Sequence, residues 1–294
     1  MTAATADRTH RDTLFVEDAV ILEHESHPGD QFILRVRSPE CAARALPGSF
    51  AHIRCTPAMP MRRPLSIMRV DAQQGTVDFL SKAVGAGTRA LSERRPGETI
   101  SLIGPIGTPF TPDRDRPRTL LLGGGVGIPP MIFLAEELRK RDVTPFVILG
   151  SEVPFPFTPR PSQHMLDGLP SDVIACMPLL DDWGIPSRLA SQQEFAGCHR
   201  GFVTDLARSW LKTLSENELA EVSLHACGPH PMLEAVVALA REFDLPVEVS
   251  LEEFMACAVG GCAGCVVEVQ EDSGPEMRRV CVDGPVFDGY SVFS

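Results

Sequence analysis

The stretch Leu251–Cys265, LEEFMACAVGGCAGC, carries Cys257, Cys262 and Cys265, and a fourth cysteine follows at Cys281. The resulting pattern, C-x4-C-x2-C-x15-C, sets the first three on one tight loop. That is the arrangement in which a plant-type [2Fe–2S] cluster takes its four thiolates. The intervening residues Ala258, Val259, Gly260, Gly261, Ala263 and Gly264 are small. A loop wrapped closely round a cluster aims backbone N–H groups at sulfur, and glycine supplies the positive-φ positions that such a wrap needs. Two other uses stay open. Structural zinc takes two C-x2-C-like pairs, of which this pattern has one, and buried thiols also serve as small core hydrophobes.

Upstream of this loop the chain alternates strand and helix patterns. RTLLLGGGVGIPPMIFLAEELRKR, Arg118–Arg141, reads as a buried strand at Thr119–Leu122, a glycine turn, and a helix from about Pro130 to Arg141 with prolines in its first turn. A second strand is expected at Pro145–Leu149. Residues 151–200 are rich in proline and show only one short strand, near Val173–Ala175. Further on come a helix over Gly201–Leu214, capped by Thr204 or the preceding turn, a strand at Val222–Ala226, a helix at Met232–Glu242 and a strand at Val247–Ser250. Strands alternating with helices predict a parallel sheet covered on both faces.

Gly123, Gly124, Gly125 and Gly127 lie where such a sheet binds a dinucleotide pyrophosphate, after its first strand and at the start of a helix. The motif departs from G-x-G-x-x-G at Ile128 and Pro130, and a turn that merely permits tight packing is the plainer alternative. Cys227, Gly228 and Pro229 follow a later strand at the same sheet edge. Cys227 is a candidate to face a nicotinamide ring, a lone buried thiol being the other reading. Ser151 and Glu152 follow the second strand, where an acid accepts hydrogen bonds from ribose hydroxyls and repels a 2′-phosphate, favouring NAD over NADP.

Residues 14–103 have a different texture: LFVEDAVIL, QFILRVR, SFAHIRC, LSIMRV, TVDFL and ETISLI are short β-rich runs. They predict an antiparallel barrel or sandwich of about six strands. Within it, Arg63, Pro64, Leu65 and Ser66 open a strand, Leu80, Ser81 and Lys82 close another, and Gly87–Thr88 form a turn. An arginine for a pyrophosphate, a hydroxyl near a ring edge and a Gly-Thr turn would together hold a flavin dinucleotide. GPIGTPFTP, Gly104–Pro112, marks the boundary. The chain thus divides into a disordered tail (1–13), a β-barrel domain for FAD (14–112), an α/β domain for NAD (113–249) and a small C-terminal [2Fe–2S] domain (250–294).

A net charge of −12 argues against nucleic acid as partner, because Arg62–Arg63, Arg94–Arg95 and Arg278–Arg279 remain isolated doublets. No apolar run is long enough for a membrane span, and the first residues lack a secretory h-region, so a cytoplasmic protein is expected. Nine cysteines in a reducing compartment favour metal or redox use over disulfides. Nicotinamides exchange two electrons, iron–sulfur clusters one, and a flavin either. Electron transfer is the function that uses all three sites.

The sequence resembles the ferredoxin–NADP reductase superfamily and, more closely, the electron-transfer subunits of B-type dihydroorotate dehydrogenase. The likeness lies in RRPLSI (Arg62–Ile67), Lys82, Gly87–Thr88, GGGVGIPPM (Gly123–Met131), GFVTDL (Gly201–Leu206), CGPHPML (Cys227–Leu233), LEEFMAC and VCVDGPVF (Val280–Phe287). The resemblance implies FAD contacts from Arg63 to Ser66, Leu80 to Lys82, and Gly87 and Thr88, with Cys257, Cys262, Cys265 and Cys281 as cluster ligands. It implies a partner, an FMN-containing dihydroorotate-oxidising subunit, in a heterotetramer of two catalytic and two electron-transfer chains, with NAD+ as acceptor in pyrimidine biosynthesis. A flavin and iron–sulfur subunit of a hydrogenase, sulfide dehydrogenase or transhydrogenase complex is the alternative. Three departures stand out: Leu65 replaces a common aromatic, so stacking on the flavin would be aliphatic; Phe254 stands where relatives carry Arg; and Asp182–Arg200 is longer than usual.

Overall fold

The computed structural model describes residues 14–293; the expected tail at 1–13 lies outside them. Strands β1 (Phe15–His27), β2 (Gln31–Arg37), β3 (Phe50–Arg54), β4 (Arg63–Asp71), β5 (Thr76–Lys82) and β6 (Thr99–Ile106) close a barrel in the order β1-β2-β5-β4-β3-β6. Helices α1 (Pro39–Arg44) and α2 (Ala86–Ser92) occupy two of its connections. The two-residue period of a strand drives alternate side chains inward. Phe32, Leu34 and Val36 of β2 meet Ile53, Ile67, Phe79 and Leu102 in one core, while Ile33 and Arg35 face out. The chain does not break at Gly104: β6 runs on through Ile106, pairing Gly104 with Phe15 and Ile106 with Phe50, and turns at Gly107.

The second layer is built from β7 (Arg118–Gly124), a 3-10 turn (Gly125–Gly127), α3 (Ile128–Arg139), β8 (Phe146–Gly150), β9 (Arg160–Pro161), β10 (Ala175–Cys176), α4 (Pro178–Asp182), β11 (Ser187–Ser191) and β12 (His199–Arg200). It continues through α5 (Val203–Leu211), α6 (Glu216–Leu219), β13 (Val222–Cys227), α7 (His230–Phe243) and β14 (Val247–Ser250). The chain ends in β15 (Val266–Glu271), β16 (Gly274–Arg279), β17 (Val286–Asp288) and α8 (Gly289–Val292). The main sheet has the order β12-β11-β8-β7-β13-β14-β17, parallel except where β17 runs antiparallel to β14. The C-terminal segment therefore returns to the α/β sheet after its cysteines, and only the β15–β16 hairpin stands outside it. The long segment at Asp182–Arg200 supplies β11 and β12, two strands of this sheet.

Helix α3 is the seam between the layers. Nine of its twelve residues are buried, the mark of a helix covered on more than one side. Phe133 packs into the barrel core, whereas Met131, Leu134 and Leu138 pack with β7 and β8. Arg69 of β4 reaches Glu136 of α3 with two hydrogen bonds, 2.8 and 3.2 Å long, and lies 4.9 Å above the Trp183 ring. A second tie holds the connection after the barrel. The Thr111 N–H donates to Glu248 Oε2 at 2.9 Å, the Thr111 hydroxyl to Oε1, and His225 Nδ1 lies 3.0 Å from the same carboxylate. Burial would raise Glu248, but contact with His225 and the two bonds from Thr111 outweigh it and hold the carboxyl below its ordinary range. Among the described residues no helix is long and apolar enough to cross a membrane.

Candidate functional site

The cysteine loop leaves β14 and wraps back through left-handed backbone at Ala258 (φ 56°), Gly260 (φ 77°) and Ala263 (φ 52°). Glycine was expected to carry these positions; the structure gives two of the three to alanine and leaves Gly261 and Gly264 outside them. Each such alanine costs about 1–2 kcal/mol. Strain of this kind persists where the surroundings over-determine it, as they do around a ligand site.

The backbone N–H of Val259 donates to Cys257 Sγ at 3.5 Å, and that of Gly264 to Cys262 Sγ at 3.4 Å. Burial works against ionising Cys257, yet the N–H groups of Val259, Cys262 and Gly261 and the neighbouring Cys262 thiol bring it down to about 7. Burial and the adjacent Cys265 thiol push Cys281 up to about 12. Cys262 thus acts on Cys257, and both Cys265 and Cys257 act on Cys281, so the thiols are close enough to influence one another. Among the described residues no group of three or more His, Cys, Asp or Glu is arranged to hold a single metal ion. Four cysteines at C-x4-C-x2-C-x15-C, on a loop that already aims backbone N–H groups at two of the sulfurs, are the donors a two-iron cluster takes. The donor set therefore fits a [2Fe–2S] cluster.

The loop is buttressed from behind. Arg279 donates to the Gly260 carbonyl at 3.2 Å and to Asp283 at 3.2 Å, and the Val280 N–H donates to the Cys265 carbonyl at 2.9 Å. Arg279 was legible in sequence only as half of a basic doublet; its role comes from standing two residues before Cys281 and four before an aspartate. Outside, Cys262 is exposed, and Phe254 (94% exposed) and Val259 flank the loop with apolar surface.

The residues expected to hold FAD gather on β4, β5 and the start of α2. A Cβ on Gly87 would lie 2.7 Å from Arg63 Nε, so the absent side chain is what lets the Arg63 guanidinium lie across the turn. The Thr88 hydroxyl accepts from the Gly85 N–H at 3.1 Å and caps α2. Leu65 packs into the barrel core, so the open positions on this strand are Pro64 and Ser66. Ser81 is likewise buried, beside Phe32, whereas Leu80 lines a cavity of about 360 Å³ with Met68, Phe157 and Met177.

The two turns expected to hold NAD meet directly. A Cβ on Gly127 would fall 2.2 Å from the Cys227 carbonyl oxygen, and one on Gly124 would fall 2.4 Å from Met232 Sδ. Gly123 and Cys227 stand in register on β7 and β13, and Gly228 packs on Gly124. Pro129 and Pro130 have no N–H, and that of Ile128 donates to the Gly125 carbonyl. Donors to an anion here must therefore come from Gly125–Gly127, with α3 adding its dipole. Burial pushes the Cys227 thiol up to about 12, so it is protonated and uncharged. Glu152 is exposed just past the end of β8.

Two family descriptions match the chain: an oxidoreductase FAD-binding domain over residues 19–110 and the iron–sulfur cluster binding domain of dihydroorotate dehydrogenase B over residues 252–293. The dihydroorotate dehydrogenase B (NAD(+)) electron transfer subunit of Desulforamulus reducens is 30% identical over 280 residues, covering 94% of this chain and 98% of that protein. The subunit of the same name from a Geobacillus species is 36% identical over 245 residues, covering 82% and 84%. Among solved structures, one of an NADH-dependent reduced ferredoxin–NADP oxidoreductase superposes with a TM-score of 0.75 at 26% identity, covering 94% of this chain and 90% of that one. With a closed flavin-type barrel, an α/β sheet bearing paired turns and a four-cysteine loop of this spacing, the chain belongs to the family of dihydroorotate dehydrogenase B electron-transfer subunits.

Proposed function

We propose that the chain carries electrons between an FMN-containing dihydroorotate dehydrogenase subunit and NAD+, serving pyrimidine biosynthesis from a heterotetramer of two catalytic and two electron-transfer chains. Bound FAD would supply the exchange between hydride pairs and single electrons. The chain's own residues do the rest. Arg63, laid across Gly87, offers a fixed cation for the flavin pyrophosphate, while Pro64 and Ser66 present the outward face of β4 to the ring. Gly123–Gly127 and Cys227–Pro229 leave a side-chain-free edge for the dinucleotide, and Glu152 favours NAD by refusing a 2′-phosphate. The loop from Met255 to Cys265, with Cys262 and Phe254 exposed, is the face offered to the partner.

The observation that carries this reading is the four-cysteine spacing on a loop with N–H groups aimed at Cys257 and Cys262, Cys262 exposed, and Arg279 and Asp283 buttressing it from behind. Cys265→Ala is expected to abolish electron flow between subunits while NADH still reduces artificial flavin acceptors. Stopped-flow and steady-state assays of the reconstituted complex check it; equal loss of both activities would count against this order of carriers. The solved ferredoxin–NADP oxidoreductase favours a second reading, a flavin and iron–sulfur subunit of another complex. Copurification with a dihydroorotate-oxidising subunit discriminates the two.

A further inference from the structure

His52 stands between the residues assigned above to the two cofactors, and its surroundings are unusual for a strand histidine. Its neighbours on β3, Ala51 and Ile53, point into the barrel core, so Phe50 and His52 face outward. That outward face is covered: Phe50 packs in one core with Leu251, Met255, Ala258, Cys265 and Cys281. Across the barrel sheet His52 is in register with Pro64 of the proposed flavin strand. The backbone of Met255, two residues before Cys257, also acts on its ring.

The imidazole is 0% exposed, and neither ring nitrogen has a partner in hydrogen-bond geometry, although the backbone carbonyls of Arg62 and Met255 lie beside it. Burial, with the charges of Arg62 and Arg63, pushes His52 down to about 4, leaving a neutral ring with a single N–H. Burying polar groups without partners is destabilising, a penalty that phenylalanine would avoid at similar volume. The strand beneath cannot drift to relieve it. Arg62 clamps it, donating to the His52 carbonyl at 3.2 Å and to the Ser101 carbonyl at 2.8 Å. The backbone groups acting on the ring are that of Arg62, just before the flavin strand, and that of Met255 on the cysteine loop.

We propose that His52 is a positioning residue that registers the cysteine loop against the flavin strand and so sets how fast an electron crosses between the two cofactors. This rests on the functional reading above. In the step concerned, one electron leaves the reduced flavin and one enters the cluster; no bond at His52 forms or breaks, and it gives up no proton.

The test compares wild type, His52→Phe and His52→Gln as anaerobic holoproteins, following flavin bleaching by NADH, the later appearance of the reduced-cluster EPR signal, and iron and flavin content. In His52→Phe, cluster reduction is expected to slow about tenfold or more relative to bleaching, with a shifted EPR line shape, since small misplacements carry costs of this size. His52→Gln, which keeps a donor, is expected to restore most of the rate. A loaded His52→Phe protein with wild-type kinetics and line shape overturns the proposal. Should His52→Phe fail to fold, His52→Gln against the shorter His52→Asn decides: a slower Asn variant supports the proposal and equal rates overturn it. A wild-type protein that takes up neither iron nor flavin would instead overturn the functional reading, and this inference with it.

Discussion

The glycine turn at Gly123–Gly127 and the cysteine loop at Cys257–Cys265 are both short and rich in small residues, yet they use glycine for largely different reasons. In the first, volume decides at Gly124 and Gly127, while Gly125 alone is left-handed (φ 55°) with open space about it. Gly127 has ordinary backbone torsions, but a Cβ there would meet the Cys227 carbonyl at 2.2 Å. In the second, conformation decides: the left-handed positions are Ala258, Gly260 and Ala263, and a Cβ on Gly261 would meet nothing within 4 Å. Glycine in a sequence therefore marks a site without saying which constraint put it there.

Substitutions can break that contrast. Gly127→Ala should do the greatest damage, because its obstacle is the Cys227–Gly228 peptide and not a movable side chain; a loss of about 3 kcal/mol or more is expected from calorimetric unfolding. A stability within experimental error of wild type would mean the two turns do not touch. Gly260→Ala should cost about 1–2 kcal/mol through its left-handed backbone, with a further squeeze against Val282 at 3.1 Å. Ala263→Gly should have the smallest effect and the opposite sign. Ala263 is exposed, so removing its methyl relieves the backbone while giving up little packing, a gain of about 0.5 kcal/mol after the added flexibility of the unfolded chain. A denaturant midpoint that falls in Ala263→Gly would contradict the left-handed assignment.

Where local pattern and tertiary demand agreed, the fold was legible in the residues. The barrel strands alternate, and the glycine turn, α3 and the cysteine spacing all stand where their patterns put them. β11 was not legible. Its sequence, SRLAS, lacks the apolar run of a buried parallel strand, yet all five residues are buried. Its polar groups, Arg188 Nε excepted, find partners elsewhere: Ser187 Oγ accepts from the Met177 N–H, Ser191 Oγ donates to the Ser151 carbonyl, and Arg188 donates to the His164 carbonyl. No window of sequence shows those partners. Leu65 packs with the barrel core, a placement that its neighbours in sequence do not reveal. His52 sits at an outward position of FAHIR yet is fully buried, with Arg62 and the Met255 backbone of the cysteine loop beside it.

The most direct test is an absorption spectrum with iron and sulfide analysis on protein purified without air. A flavin band beside broad iron–sulfur absorption, with iron and sulfide at about two each per chain, is the expected result. A colourless protein holding zinc and no flavin would contradict it.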